Sequence, residues 1–335
     1  MEVLSELLRD VKLAGAVFLD VEFRDPWCIA ARGKFPRLLM PDAEHIIHYH
    51  FIVEGRCHIE LEQGEPDLRL ELEAGDVVVA PHGDAQIMGS AMQLAPRPLS
   101  EVLALPKRGE VAVARYGGGG AATRVVCGFI SCDPHLCGPI LSALPRLFRV
   151  PIACSPSGEW LQSSLRHSVA EAASLRAGAD VILARLSEVL FVEALRCYVE
   201  TLPPEHTGWL AGLRDPLVGK SLRLLHGRYE RAWTVDQLAN EVGCSRSVLA
   251  ERFTHYVGRP PMQYLTKWRL ARAASRLRSG GARLARIAAD VGYESEAAFN
   301  RAFKREFGIP PASWRRRGRA TAAAAGAPAG SSPSG

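Results

Sequence analysis

The feature that most constrains this chain is an internal repeat in its C-terminal third. Leu238-Ala239, Val242-Gly243, Ser245, Leu249 and Phe253 match Ile287-Ala288, Val291-Gly292, Ser295, Phe299 and Phe303. The offset is 49 residues up to the glycine and 50 beyond it. One residue has been added in the second turn, Gly292-Tyr293-Glu294-Ser295 against Gly243-Cys244-Ser245. The match continues through Gly258-Arg259-Pro260-Pro261 and Gly308-Ile309-Pro310-Pro311, then Tyr264 and Trp314. One supersecondary unit has been used twice.

Each copy has a physical reading. A short helix carries Leu238, Ala239 and Val242 on one face, and Thr234 with Gln237 three residues later forms a capping-box start. The glycine stands where a tight turn between helices needs positive φ. Ser245 or Ser295 then caps the next helix, which holds Leu249 and Phe253, or Phe299 and Phe303, inward at i, i+4. Short helix, glycine turn and second helix make a helix-turn-helix. Between the copies Met262 to Arg278 reads as one helix, with Pro260-Pro261 suiting its first turn and Gly280-Gly281 its end. Seventeen residues span roughly 25 Å at 1.5 Å per residue. That length suits two reading heads about one DNA turn, roughly 34 Å, apart.

Charge is compatible with a polyanion partner and equally with a solvated, Arg-rich surface. Residues 214–319 hold 22 Lys and Arg against 9 Asp and Glu, a net of +13, while the whole chain carries only +5. A basic block on an acidic body, net −8, suggests a polyanion partner for the block alone.

These residues carry a family resemblance. Ile287-Ala288, Val291-Gly292-Tyr293, Ser295, Phe299, Arg301, Phe303-Lys304, Gly308, Pro310 and Trp314-Arg315 resemble the signature of AraC/XylS-type regulators, over residues 214–317. The resemblance implies a domain of two helix-turn-helix units bridged by a long helix, binding double-stranded DNA near promoters, with RNA polymerase as a further partner. With Leu249 and Phe253 inward, Arg246, Ser247, Ala250 and Glu251 face the groove, and by the same rule Glu296, Ala297, Asn300 and Arg301. The family's usual reading positions fall on Arg246, Ser247 and Glu251, then on Glu296, Ala297 and Arg301. Arg pairs with guanine O6 and N7, and Glu accepts from cytosine N4. Arg252, Arg259, Lys267, Arg269, Lys304 and Arg305 are predicted phosphate contacts.

The N-terminal half reads differently. Ile47, Tyr49, Phe51 and Val53 alternate with Ile46, His48, His50 and Ile52, and Leu68, Leu70 and Leu72 alternate with Arg69 and Glu71. Turn signals at Glu54-Gly55, Gln63-Gly64 and Ala74-Gly75-Asp76 separate these runs, as in a compact β-barrel or sandwich. His48-x-His50-x3-Glu54 places three side chains on one strand face by period two. That run, with Gly75-x5-Pro81-x-Gly83, resembles the two cupin motifs, but Gln86 stands where metal-binding cupins continue to a histidine. An amide is a far poorer transition-metal ligand than imidazole, so no metal, no cofactor and no enzymatic activity are expected. His48, His50, Glu54, His82 and Gln86 become candidate ligand contacts. The wider half, with His45, Pro81-His82-Gly83-Asp84 and Cys127-Gly128-x3-Cys132-Asp133, resembles the cupin-like sensor domain that precedes AraC-type DNA-binding domains, which implies a small-molecule effector.

The fold expected is therefore α+β and multidomain. Residues 1–155 form a cupin-like β-barrel, 156–208 a helical connector and linker, 209–317 the all-α DNA-binding domain, and 318–335 a disordered tail, uncharged from Ala320 on. The amphipathic helix 181–199 either packs on the barrel or pairs with a second chain, and a homodimer is the expectation. The scattered cysteines include no CxxC pair. Cys127-x4-Cys132-x2-His135-x-Cys137 fits no common zinc spacing, which leaves buried thiols or a thiol- or metal-sensing regulator as readings. A cupin enzyme with a DNA-binding appendage is the third class. No apolar run approaches the roughly 20 residues that cross a bilayer, and the acidic start lacks a secretory pattern. A cytoplasmic protein without a membrane partner is expected.

Overall fold

The computed structural model describes residues 2–11, 13–32, 40, 43–63, 69–102, 111–152, 156–173, 177–203 and 205–326. Gly64, Leu68, Cys154 and the last nine residues of the tail lie outside them. The chain opens with α1 (Glu2–Asp10), β1 (Ala14–Arg24), β2 (Cys28–Ala31), β3 (His45–Glu54), β4 (Arg56–Leu61) and β5 (Leu70–Glu73). It continues through β6 (Asp76–Ala80), β7 (Gln86–Gly89), β8 (Arg97–Pro98), α2 (Leu99–Val102), β9 (Ala112–Gly117) and β10 (Ala122–Cys132). Next come α3 (Gly138–Leu141), β11 (Phe148–Pro151), α4 (Gly158–Ala173) and α5 (Ala179–Thr201). The remainder is helical: α6 (Trp209–Gly212), α7 (Pro216–Gly227), α8 (Val235–Val242), α9 (Arg246–Val257), α10 (Pro261–Ser279), α11 (Leu284–Asp290), α12 (Glu296–Phe307) and α13 (Pro311–Gly326).

Two compact units result, and they are not contiguous in sequence. One holds Lys12–Cys132 and Leu141–Pro203; the other holds Met1–Val11, Asp133–Ile140 and Pro204–Gly335. Residues 1–11 and 133–140, expected above within the 1–155 segment, thus group with the helical unit. The cause is apolar burial. Val3, Leu4 and Leu7 of α1 are buried, and α1 packs on α7.

In the first unit a six-stranded sheet of order β11-β6-β3-β10-β1-β9 faces a five-stranded sheet of order β5-β4-β7-β2-β8. Leu19, Val21, Phe23, Ile52 and Val125 from one sheet meet Ile29, Ile59, Leu72 and Met88 from the other in a single buried cluster. Among the described residues no ladder joins the two sheets, so the expected barrel is an open sandwich. The short β8 ends in Pro98, which has no N–H to extend a ladder. Outside the larger sheet lies α5, which ends at Thr201, ahead of Pro203 and Pro204. Leu183, Leu190 and Ala194 are buried on its inner side. Tyr49 O–H donates to Ser187 Oγ (2.6 Å), whose own proton goes to Leu183 O (2.7 Å).

The second unit is all-α. Leu270, Ala273, Ala274 and Leu277 of α10 pack against Ile287, Val291, Phe299 and Phe303. Leu222, Leu238, Leu249 and Phe253 are equally sealed on the first copy. The closing helix α13 runs to Gly326, nine residues into the stretch read as disordered. Ala320 and Ala322 to Ala325 explain it, since alanine is the best helix former. No helix among the described residues is long and apolar enough to cross a membrane.

Candidate nucleic-acid interface and sensor interior

Both turns of the repeat are built alike. Thr234 accepts from the Gln237 backbone N–H and Gln237 Oε1 accepts in return, each at 3.1 Å, starting α8. Gly243 takes φ 87° and Gly292 φ 80°, the left-handed geometry a side chain resists. Cys244 N–H then reaches back to Ala239 O (3.0 Å), and Tyr293 N–H to Ala288 O (2.9 Å). Ser245 and Ser295 cap α9 and α12 by accepting from Val248 N–H (3.3 Å) and Ala298 N–H (3.2 Å). With Leu249, Phe253, Phe299 and Phe303 wholly buried, the opposite faces are open. Arg246, Ser247 and Glu251 are exposed on α9, and Glu296, Ala297 and Arg301 on α12. Arg246 has only a loose, exposed pairing with Asp236 at 3.5 Å, which competes little with a ligand.

Sequence reasoning missed Val248. It is 46% exposed on α9, one turn before Glu251. The i, i+4 pair that turns Leu249 and Phe253 inward is the signal that places Val248 outward.

The phosphate set divides. Lys304 and Arg305 are exposed in the last turn of α12. Lys267 is half exposed and pairs with Glu306 at 3.2 Å, and Arg259 is partly buried. Two members of the set already hold partners within the fold. Arg252 commits its Nε to Asp215 (2.6 Å), a buried carboxylate that also caps α7 through Leu217 and Val218 N–H. Arg269 donates to two backbone carbonyls, Tyr229 O (2.6 Å) and Arg231 O (2.7 Å). Burial pushes its pKa down, opposed by Tyr293 and Glu230. Two of its five N–H donors are thereby engaged inside the fold.

In the sandwich the polar candidates form a chain rather than a ring of ligands. His50 Nε2–H donates to Gln86 Oε1 (2.8 Å), and Gln86 Nε2–H donates to His48 Nδ1 (3.0 Å). His50 Nδ1 is then the acceptor for the Cys127 thiol (2.9 Å). Burial pushes both histidines down to about 4, with neighbouring His50 adding to the effect on His48 and Gln86 opposing it at His50. Both rings are neutral at pH 7. Burial likewise raises the Cys127 thiol, and Cys57 Sγ to about 12 with Asp76 contributing, so neither is a ready thiolate. Gln86 takes up nitrogens that a cupin metal would need, and the donor set does not fit one. Among the described residues no group of three His, Cys, Asp or Glu could hold a metal ion.

Glu54 does not join them. Arg124 pairs with Glu54 but Val125 with Ile52, so Val53 is an extra, bulged residue that turns Glu54 to the outer face. There it lines a groove of about 330 Å³ with Asp20, Glu22, Arg24, Arg115 and Arg124. His82 stands apart too, exposed and bonded to Leu144 O (3.3 Å). The Cys-His run also separates. Cys127 faces His50 in the sandwich, whereas His135, in the helical unit, sets its ring edge against Phe307 (5.1 Å) and Trp314 (5.2 Å). Its neighbour Asp133 forms an ion pair with Arg278.

Comparison with known proteins agrees with both halves. A cupin family model matches residues 2–200, and a helix-turn-helix domain model matches residues 238–317. An AraC-like transcription regulator of Streptomyces lividans is 36% identical over 276 residues, covering 82% of this chain and 88% of the relative. The HTH-type transcriptional regulator AlkR of Acinetobacter baylyi is 29% identical over 319 residues, covering 95% of this chain and all of its own. Among solved structures, a transcriptional regulator with an AraC-type DNA-binding domain from Chromobacterium violaceum is 27% identical with a TM-score of 0.30, covering 31% of this chain and 94% of that one. The chain belongs to the AraC-like transcription regulators, DNA-binding proteins with a cupin-type N-terminal domain and a duplicated helix-turn-helix.

Proposed function

We propose that this regulator reads two adjacent major-groove segments with α9 and α12 and alters its grip when a small molecule occupies the sandwich. The observation that carries the reading is the pair of open faces, Arg246 to Glu251 and Glu296 to Arg301, each on a helix locked from behind by a buried i, i+4 pair. Lys304, Arg305, Arg259 and Lys267 flank them for phosphate contact. An effector needs a route to these helices. In this chain β10 carries Cys127, the partner of His50, and ends at Cys132. The next residues, Asp133–Ile140, belong to the helical unit, held by the Asp133–Arg278 pair and by His135 on Phe307 and Trp314. A ligand that shifts β10 pulls on that segment.

The sandwich is assigned no catalytic role, since its histidines are neutral and tied by Gln86. A homodimer is supported by α5, where Val181 and Ile182 are 59% and 47% exposed and Val189, one heptad beyond Ile182, 44%. Apolar side chains this open along one helix favour a covering partner. RNA polymerase in the cytoplasm is the partner a promoter-bound regulator acts on.

Selection of bound sequences from a random duplex pool, by the purified full chain with and without a small-molecule cell extract, tests the whole reading. It should return two unlike segments about ten base pairs apart, repeated in inverted order by a dimer, with affinity that changes in extract. Asp133→Asn should keep the sequence preference and lose the extract effect. A chain that enriches no sequence at low salt would sink the DNA reading, and indifference to extract the effector.

Val248 makes a finer prediction. An exposed apolar side chain on a groove-facing helix suits a thymine methyl. Replacing thymine by uracil at one position of the α9 segment should cost about 0.8 kcal/mol, the value of one buried methyl-sized group. Val248→Ala should bind the thymine and uracil duplexes equally. If the wild type shows no uracil penalty anywhere in that segment, Val248 is plain surface.

A further inference from the structure

We infer that Arg269 is the positioning residue that fixes the angle and spacing between the two reading helices. The inference rests on the two-headed reading above. Sharing α10 sets how far apart the heads lie along one axis, but it does not by itself hold each head in rotation about that axis. Arg269, near the middle of α10, supplies that restraint. Its guanidinium grips two carbonyls, Tyr229 O (2.6 Å) and Arg231 O (2.7 Å), in the loop that leads from α7 into α8 of the first head. The turn of the second head closes on the same group. A Cβ added to Gly292 would stand 2.8 Å from Arg269 Nη2, 2.9 Å from its Cζ and 2.5 Å from Glu230 O. The first-head loop and the second-head turn thus meet on one planar cation. Lysine replaces it only in part, because a single ammonium lacks the fork that reaches two acceptors at fixed angles.

The test uses the full chain and duplexes found by selection from a random pool. One set keeps the selected spacing, a second inserts or deletes one base pair between the segments, and a third keeps the α9 segment alone. One base pair moves a segment by about 3.4 Å along the axis, so a rigid pair of heads must lose one contact set. Wild type is expected to lose about tenfold on the altered spacings, as a mismatched two-site linkage does. Arg269→Gln should bind the native spacing about tenfold more weakly, discriminate spacing by less than about twofold, and bind the single segment as wild type does. Gly292→Ala, which intrudes on the same contact, should show the same pattern, and Arg269→Lys should fall between. Melting curves run beside the binding show whether each variant is folded; if Arg269→Gln is not, Arg269→Lys decides. A common loss on every duplex would mark Arg269 as a phosphate contact and overturn the proposal, as would an unchanged spacing penalty in the variants. Wild type indifferent to spacing would instead overturn the two-headed reading itself.

Discussion

Arg301→Ala is expected to cost about 1–3 kcal/mol on the preferred DNA and to relax discrimination in one segment only. Arg246→Ala should do the same in the other segment, about ten base pairs away. Both arginines are exposed on capped helices whose inner faces are sealed by Leu249, Phe253, Phe299 and Phe303, so truncation removes contacts without opening a core. The outward residues of the two heads differ, Arg246, Ser247 and Glu251 against Glu296, Ala297 and Arg301. One chain's site is therefore asymmetric, and any palindromy comes from a second chain. Lys304→Ala, exposed at the end of α12, should weaken binding to every sequence alike. It is a cleaner control than Lys267, which already holds Glu306. Binding measured against single-base variants of the selected site checks all three. Two arginine variants that relaxed the same base pairs would end the two-headed model.

How much of this was legible in the sequence varies with the range of the interactions. The helix-turn-helix pair was readable because each signal is local: a capping box at Thr234, a positive-φ glycine, a serine cap, an i, i+4 aromatic pair. The outward placement of Arg246, Ser247, Glu251, Glu296, Ala297 and Arg301 followed from the same wheel, and so would that of Val248 have done. The strands of the sandwich were readable by period two up to Val53. There a bulge, set by the register against β10, turned Glu54 away from His48 and His50, and no residue type announces it. Arg269 and Arg252 looked like their neighbours on basic helices. That their donors go to Tyr229 O, Arg231 O and Asp215 depends on loops distant in sequence. The same holds for α1 and Asp133–Ile140, which pack with a domain that begins some seventy residues or more downstream.

Acid should destabilise the helical unit well before it protonates the carboxylates that commonly control acid unfolding. His226 is buried among Trp209, Tyr264 and Trp268, with ring centroids 6.2, 5.7 and 4.2 Å away. Burial, aided by the charge of Arg272, pushes it down to about 3. The ring sits in a buried network: Trp209 Nε1–H donates to Tyr264 Oη (2.8 Å), and that hydroxyl shares a hydrogen bond with His226 Nε2 (2.7 Å). In the unfolded chain the same imidazole titrates near 6.5. Below about pH 6.5 the unfolded state therefore binds a proton that the native state refuses until about 3, and stability falls as pH falls through that window. The loss approaches about 1.4 kcal/mol per pH unit for one histidine, and stability is flat above 7 as far as this group is concerned. His48 and His50, pushed down to about 4, act with the same sign on the sandwich between about 6.5 and 4. Thermal melts at pH 7 and pH 5 should show the drop. His226→Gln, neutral at both, should be less stable at pH 7 but lose less on going to pH 5. A variant that kept the full wild-type slope would mean the proton is taken up elsewhere.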